Sequence, residues 1–148
     1  MADLTKATAS IIVPGNDSKY WYVRSAKDNK WGLAGGKIHM EAAEVAAQRE
    51  AKEELGIRVY IESLVGIYQF KSEEGNPILN IVYAARIIEG TPHITRPDEI
   101  LEIQEFSYET IIHLHAQRQI RAGKANIAPL EDYRAGHLKP LDTICCLL

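Results

Sequence analysis

Residues 35–57, which read GGKIHMEAAEVAAQREAKEELGI, place a glycine pair shortly before a long run of helix-forming residues. Residues 42–55 contain no proline or glycine and are rich in Ala, Glu, Gln, Lys and Arg, which all favour helices. Gly56 stands where a left-handed residue commonly ends a helix. The segment therefore predicts one helix over about residues 42–55 that follows a glycine-rich loop.

Three glutamates cluster on this predicted helix. Glu50, Glu53 and Glu54 are spaced i, i+3 and i+4, so their carboxylates project from one face within reach of one another. Like charges held this closely raise at least one pKa unless a cation lies among them. Carboxylate oxygens are also the protein ligands that Mg²⁺ accepts, usually together with phosphate oxygens and water. The spacing predicts a divalent-metal site.

The alternative is a solvated helix face, on which Arg49 and Glu53 form an ordinary i, i+4 ion pair. The loop before the helix favours the metal site. Its Ala34-Gly35-Gly36-Lys37 run supplies backbone without bulky side chains, which can approach a metal ion or a phosphate closely.

The same stretch resembles the Nudix box, the signature of MutT-like enzymes that hydrolyse nucleoside diphosphates linked to another group. The residues that match the box are Gly35, Glu41, Arg49, Glu50, Glu53, Glu54 and Gly56. Two departures from the family pattern precede the helix: only four residues, 37–40, separate Gly36 from Glu41, and Ala34 stands where proline is usual. The resemblance implies an α/β fold, an α/β/α sandwich with a central mixed β-sheet, formed by residues 1–148 as a single Nudix domain.

The resemblance also implies roles for individual residues. The metal site consists of Glu50, Glu53 and Glu54 with a carbonyl from Gly35 or Gly36, and its ion is Mg²⁺, with Mn²⁺ as an alternative. Arg49 orients the neighbouring carboxylates, whereas Glu41 ties the loop to the helix. The catalytic candidates are Glu50, Glu53, Arg49 and Glu99, with either Glu50 or an acid of the 98–102 loop as the base and Glu102 as the second choice in that loop. Residue type and position beside the glycines, rather than the resemblance, suggest the candidates for substrate binding; these are Arg24, Lys37, Gly36 and His39.

Substrate class stays open between alternatives. Residues 126–130 and 136–141 are similar to the tail of the NudJ branch of the family, which acts on nucleoside tri- and diphosphates and on thiamine diphosphate. A nucleoside-diphosphate sugar such as ADP-ribose is the main competitor. The third hypothesis is a catalytically silent module that binds a nucleotide. Such modules tend to lose the acids of the box, whereas Glu50, Glu53 and Glu54 are all present here.

Composition agrees with a compact enzyme for a small-molecule nucleotide or diphosphate. The chain has 148 residues, 46% hydrophobic and 25% charged, which suits one domain with a core. A net charge of −3 without a dense basic run argues against a stable nucleic-acid partner. No apolar stretch of about 18 residues and no signal-peptide pattern occurs, so we expect a cytoplasmic protein without membrane contact. Homodimer formation stays open.

The C-terminus, Cys145-Cys146-Leu147-Leu148, formally fits a prenylation tetrapeptide, but no polybasic segment precedes it. The adjacent cysteines exclude a long-range disulfide framework. We instead expect the last apolar residues to dock on the domain; these are Leu141, Ile144, Leu147 and Leu148.

Alternating hydrophobicity and turn residues predict the remaining elements. Strands are expected at residues 7–13, 20–24, 58–70, 78–88 and 102–106, with a bulge at Gly66. Ser107 is a candidate cap for a helix that begins at Tyr108. Some strand aromatics are candidates to stack on a base, with core packing as the alternative; these are Trp21, Tyr22, Tyr68 and Tyr83.

Overall fold

The computed structural model describes residues 5–148, which form two β-sheets and three α-helices. The strands are β1 (Lys6–Ile12), β2 (Lys19–Ser25), β3 (Trp31–Gly32), β4 (Ala34–Lys37), β5 (Arg58–Lys71), β6 (Pro77–Glu89) and β7 (Ile100–Ser107). The larger sheet has the order β4-β1-β6-β5, and only its central pair, β1 and β6, is parallel. The smaller sheet, β3-β2-β7, is antiparallel. The predicted mixed sheet is thus confirmed.

The predicted acidic helix is present, and its last turn is wider than an α-helical turn. Helix α1 (Ala43–Glu50) continues directly into a π-helical turn, Ala51–Leu55. Gly56 ends it in the left-handed conformation, at φ 67°. The other helices are α2 (Tyr108–Ala116) and α3 (Ala128–Arg134), with short 3₁₀ turns at Gly123–Asn126 and Leu141–Thr143. None of the helices within residues 5–148 has the length and hydropathy of a membrane span.

Two hydrophobic clusters lie on opposite faces of the larger sheet, which makes the fold a sandwich. On one face, α1 and the π turn bury Ala46, Ala47 and Leu55 against the sheet. Because the side chains of Ala46 and Ala47 are small, α1 can approach β1 closely. On the other face, Val65 and Val82 belong to a second cluster with α2, α3 and the smaller sheet. The predicted α/β sandwich is confirmed, and the acidic helix packs against the sheet through its apolar side.

Local expectations at β5 and α2 are also confirmed. The pairing of β5 with β6 shifts register between Leu64 and Gly66, as the predicted bulge requires. Ser107 caps α2, because its Oγ accepts a hydrogen bond from the backbone N–H of Thr110 at 3.2 Å.

The docking predicted for the C-terminal residues is only partly correct. Leu141 and Ile144 pack against the first hydrophobic cluster. Leu147 and Leu148 do not, since they are 90% and 77% exposed. The 3₁₀ turn at Leu141–Thr143 contacts β5. The four residues that follow Ile144 belong to no helix or strand of the described structure.

Candidate functional site

The end of α1 and the π turn form one wall of a cavity of about 570 Å³, which we call the acidic cavity. Glu50, Glu53 and Glu54 all line it. Opposite the helix, the glycine-rich strand β4 and the loop after it contribute Gly35, Gly36, Lys37 and His39 to the lining. The structure thus brings together the three glutamates and the glycine-rich run that the sequence singled out. The prediction of a loop over that run was wrong, because Ala34–Lys37 pairs antiparallel with β1 as strand β4, and the loop begins only after Lys37.

Both glycines of this run have a steric reason to lack a side chain. The backbone N–H of Gly35 donates a hydrogen bond to Glu54 Oε1 at 2.9 Å. A Cβ on Gly35 would lie 2.4 Å from Ser10 Oγ on β1. A Cβ on Gly36 would lie 2.5 Å from Glu50 Oε1. The backbone of Gly35 and Gly36 therefore approaches two of the acids closely. A side chain at position 35 would clash with β1, including its Ala9 carbonyl oxygen at 2.5 Å, and one at position 36 would displace the Glu50 carboxylate.

Arg49 connects the acidic helix to the loop. Its Nη1 donates to Glu50 Oε1 at 2.9 Å and to Glu53 Oε2 at 3.1 Å. Its Nη2 donates to Glu41 Oε1 at 2.6 Å and to the carbonyl oxygen of Lys37 at 2.9 Å. A planar guanidinium presents five N–H donors on three separated nitrogens, so it can span acceptors that the single nitrogen of a lysine cannot reach together. Arg49 therefore fixes three box acids, two on the helix and Glu41 on the loop, and Glu41 anchors the loop through it.

The loop between β6 and β7 closes another side of the cavity. Arg96 Nη2 lies 3.1 Å from Glu53 Oε1, and its Nη1 lies 3.6 Å from Glu99 Oε2. Thr95 Oγ1 donates to the carbonyl oxygen of Glu53 at 2.7 Å, which attaches this loop to the wide helical turn. Glu99 therefore lines the cavity as a half-exposed acid. Sequence analysis identified Glu99 but missed Arg96. The i, i+3 spacing of Arg96 and Glu99 is the pattern that would have indicated an ion pair between them.

Burial shapes the charge of the cavity. It raises the pKa of Glu54 to about 8, although the hydrogen bond from Gly35 opposes the rise. Burial also raises the pKa of Glu50, and the charge of Arg49 opposes it. A carboxylate that is desolvated in this way gains from any cation that reaches it.

The donor set fits a hard divalent cation. Carboxylate and carbonyl oxygens surround the cavity, and these are the ligands that Mg²⁺ and Mn²⁺ prefer. Within residues 5–148, no three acidic, histidine or cysteine side chains are already positioned around one point. Arg49 and Arg96 hold Glu50 and Glu53 instead. A divalent ion would therefore bind carboxylates that the two arginines already orient; for Glu50, Arg49 contacts only one of the two carboxylate oxygens, Oε1.

Several other predicted residues lie away from the acidic cavity. Arg24 Nη2 binds Glu102 Oε1 at 2.8 Å between β2 and β7, and neither residue is part of the lining. Arg24 must break this pair to reach a phosphate there, and Glu102 is occupied by the same pair. Tyr22 and Tyr83 are buried in the core, as the packing alternative proposed. Arg121, which sequence analysis missed, contributes positive charge to the lining.

A second cavity of about 380 Å³ adjoins the first, and we call it the side cavity. Its lining includes Gly35 and Gly36, which also line the acidic cavity. Leu33, Phe70 and Ile78 give it apolar walls, and the polar side chains of Thr8, Ser10 and Asn80 lie along β1 and β6. A ligand with a charged end and a flat apolar end can therefore extend from one cavity into the other.

Comparison with known proteins identifies the family. The NUDIX domain model matches residues 4–129. A MutT-like protein of Streptomyces ambofaciens is 36% identical over 59 residues, which cover 39% of this chain and 38% of that protein. A putative 8-oxo-dGTP diphosphatase of Bacillus subtilis is 38% identical over 65 residues, 43% of this chain and 41% of that protein. The matches thus span about two fifths of these curated relatives.

Among solved structures, a NUDIX hydrolase from Nitrosomonas europaea superposes with a TM-score of 0.86. The alignment covers 97% of both chains at 24% identity, so this likeness establishes a shared fold. The family match extends over most of the chain and includes the glycine-rich run, Arg49 and the acidic helix. The chain belongs to the Nudix family.

Proposed function

We propose that the protein is a Mg²⁺-dependent pyrophosphohydrolase, with Mn²⁺ as an alternative ion, that cleaves a phosphoanhydride bond of a nucleoside tri- or diphosphate or of a related small diphosphate. The observation that supports this most directly is the acidic cavity, which gathers Glu50, Glu53 and Glu54 beside the glycine-rich run. Membership of the Nudix family supports the same reaction class.

The three glutamates, together with a carbonyl oxygen of Gly35 or Gly36, are the residues that would hold the metal. When bound, a divalent ion supplies charge neutralisation for the diphosphate and lowers the pKa of a bound water. Arg49 orients Glu50 and Glu53 through the hydrogen bonds described above.

The remaining residues of the cavity bind phosphate and accept the proton. Lys37 and His39 line it and provide donors for phosphate oxygens. Arg96 and Arg121 also line it, but each must first leave its carboxylate partner, Glu53 and Asp28 respectively. Glu99 is our first candidate for the base that takes the proton from the attacking water. Its side chain is 52% exposed and is not held by Arg49, in contrast to that of Glu50, which is the alternative base.

Metal dependence and substrate class are tested together. Hydrolysis is measured with NTPs, NDPs, ADP-ribose, dinucleotides and thiamine diphosphate, first with Mg²⁺ or Mn²⁺ and then with EDTA. We expect release of phosphate or pyrophosphate from a nucleotide that EDTA abolishes and added Mg²⁺ restores. Calorimetry that detects no uptake of either ion, with or without a nucleotide, contradicts the proposal. Preferred turnover of ADP-ribose selects the competing substrate class, and binding without turnover selects the silent module.

The close approach of Gly36 to Glu50 provides a steric test. In Gly36→Ala the new Cβ would lie 2.5 Å from Glu50 Oε1, so the mobile carboxylate must move. Because a displacement of about 1 Å in a reacting group can cost about 10²-fold, we expect kcat to fall by about 10–100-fold with little change in Tm. Steady-state kinetics and thermal unfolding measure the two effects.

Gly136→Ala is the matched control for that substitution. Gly136 has φ 76°, and a Cβ there meets no atom within 4 Å among the described residues. Alanine at this position should lower the free energy of unfolding by about 1 kcal/mol through backbone strain and leave kcat unchanged. A Gly36→Ala protein that keeps full turnover is inconsistent with a catalytic position for Glu50.

A further inference from the structure

Asn80 is a buried polar residue in the side cavity, and the mechanism above does not use it. It lies on β6 directly opposite Thr8 of β1 and is 5% exposed. Thr8 Oγ1 donates a hydrogen bond to Asn80 Oδ1 at 2.8 Å, and Ser10 Oγ donates to the same oxygen at 3.1 Å. Two neighbouring hydroxyls on one face of β1 therefore hold one amide on β6.

These contacts determine which group the amide presents. Each hydroxyl has one proton, and both protons are used on Asn80 Oδ1. The other end of the amide, Nδ2, has no hydrogen-bond partner among residues 5–148. Since Asn80 lines the side cavity, Nδ2 is the group that it offers there. The oxygens of Thr8 and Ser10 keep lone pairs that can accept a hydrogen bond.

A second amide of the side cavity, that of Asn126, is already committed to the fold. Asn126 Oδ1 accepts from the backbone N–H of Leu33 at 2.9 Å, and its Nδ2 donates to the carbonyl oxygen of Arg121 at 2.7 Å. Asn126 is therefore satisfied at both ends, whereas Asn80 has a donor left. This donor is accessible from the cavity, since no fully buried side-chain nitrogen or oxygen among the described residues lacks a partner. A ligand that covers it without accepting its hydrogen bond removes it from water and leaves it unsatisfied, which discriminates between ligands.

The surroundings of Asn80 suit a flat heterocycle. Phe70 and Ile78 are paired across β5 and β6, and with Leu33 they provide apolar walls. A volume of about 380 Å³ is at the lower end of the usual range for small-molecule sites. The cavity shares Gly35 and Gly36 with the acidic cavity, so a base placed here keeps its phosphates near the acids.

Building on the proposed action on nucleotides, we propose that the side cavity selects bases with a lactam edge, a ring carbonyl next to a ring N–H. Asn80 Nδ2 donates to the carbonyl oxygen, and the hydroxyl oxygen of Thr8 or Ser10 accepts from the N–H. Hypoxanthine, guanine and uracil present this edge. Adenine and cytosine have an amino group in place of the carbonyl. An amino group is itself a hydrogen-bond donor, so it cannot accept a hydrogen bond from Asn80 Nδ2.

Two matched substrate pairs test this selection. ITP differs from ATP, and UTP from CTP, at the edge in question. We expect kcat/KM to favour ITP over ATP and UTP over CTP by at least about tenfold, the value of roughly one good hydrogen bond. In Asn80→Leu both ratios should fall to about one. Asn76→Leu changes the same residue type elsewhere in the lining and should keep both ratios.

A second variant tests the same inference in case Asn80→Leu does not fold. Thr8→Val combined with Ser10→Ala keeps Asn80 but removes both hydroxyls that hold its amide. The amide can then turn either end toward the ligand, so we expect the ITP/ATP ratio to fall several-fold. Wild-type discrimination that persists in both variants overturns the proposal.

Binding of products separates this inference from the proposed function. Calorimetry with IMP and AMP on the metal-free protein should give at least about tenfold tighter binding of IMP, and Asn80→Leu should abolish the difference. IMP preference without any nucleotide hydrolysis refutes the proposed function and leaves the base selection intact. Efficient hydrolysis of ITP and ATP at equal rates refutes the base selection and leaves the hydrolase intact. Equal binding of IMP and AMP, or binding of neither, overturns the inference.

Discussion

Glu53→Gln is expected to lower kcat by at least about 10²-fold while the protein stays folded. Glutamine has the same shape but lacks the charge that a divalent ion requires, and each factor of ten corresponds to about 1.4 kcal/mol of lost transition-state stabilisation. Its single side-chain oxygen can accept from Arg49 or from Arg96, and the other guanidinium contact is lost. The hydrogen bond from Thr95 to the backbone carbonyl of residue 53 remains, so the loop stays attached to the helix. Steady-state kinetics and thermal unfolding measure the two quantities.

Glu44→Gln is the matched control. Glu44 belongs to the same helix but is not part of the acidic cavity, so the same chemical change should leave kcat within about twofold. Titration of Mn²⁺ adds a readout that does not depend on turnover: affinity should fall in Glu53→Gln and not in Glu44→Gln. Wild-type turnover in Glu53→Gln would remove this residue from the metal site.

Arg49→Lys is expected to reduce both activity and stability. Lysine keeps the charge but has one nitrogen in place of a fork, so it cannot contact Glu41, Glu50, Glu53 and the Lys37 carbonyl together. Loss of orientation around a metal site typically costs about 10–100-fold in activity. Glu50 is 7% exposed, and a buried acceptor left without its partner costs about 1–3 kcal/mol.

The control for that change is Arg58→Lys. Arg58 pairs with Glu89 at 2.7 Å, but both side chains are about two thirds exposed, so the pair contributes at most about 1 kcal/mol. Urea unfolding should therefore show a clear loss for Arg49→Lys and little change for Arg58→Lys. Full stability and full turnover in Arg49→Lys would mean that the brace has no function.

Local sequence patterns were sufficient for the acidic helix. Helix-forming composition, the i, i+3, i+4 spacing of the glutamates and the terminal Gly56 all depend on neighbours in the chain, and each is present in the structure. The same holds for the bulge near Gly66 and for the Ser107 cap. The π-helical form of the last turn was not predicted, because hydrophobic periodicity does not distinguish it from an α-helical turn.

Contacts between distant segments were beyond sequence reasoning. Arg96 reaches Glu53 across more than forty residues, and Asn80 meets Thr8 only because β1 and β6 pair in parallel at one particular register. Arg24 illustrates the reverse case. Its residue type suggested a phosphate ligand, yet β2 and β7 place Glu102 beside it. Strand register, which single-sequence patterns specify weakly, decides the outcomes for Asn80 and Arg24, whereas the path of the loop between β6 and β7 decides that for Arg96.

The wide turn at Ala51–Leu55 has a consequence for transplanting this motif into other scaffolds. In a regular α-helix, residues four apart are offset by about 40° around the axis, whereas a π turn rotates less per residue and reduces the offset between Glu50 and Glu54. The four box side chains of the helix, Arg49, Glu50, Glu53 and Glu54, grafted onto an ideal α-helix would thus place Glu50 and Glu54 farther apart around the axis. To reproduce this arrangement of carboxylates, a designed scaffold must contain the π-helical turn as well as the residues of the motif.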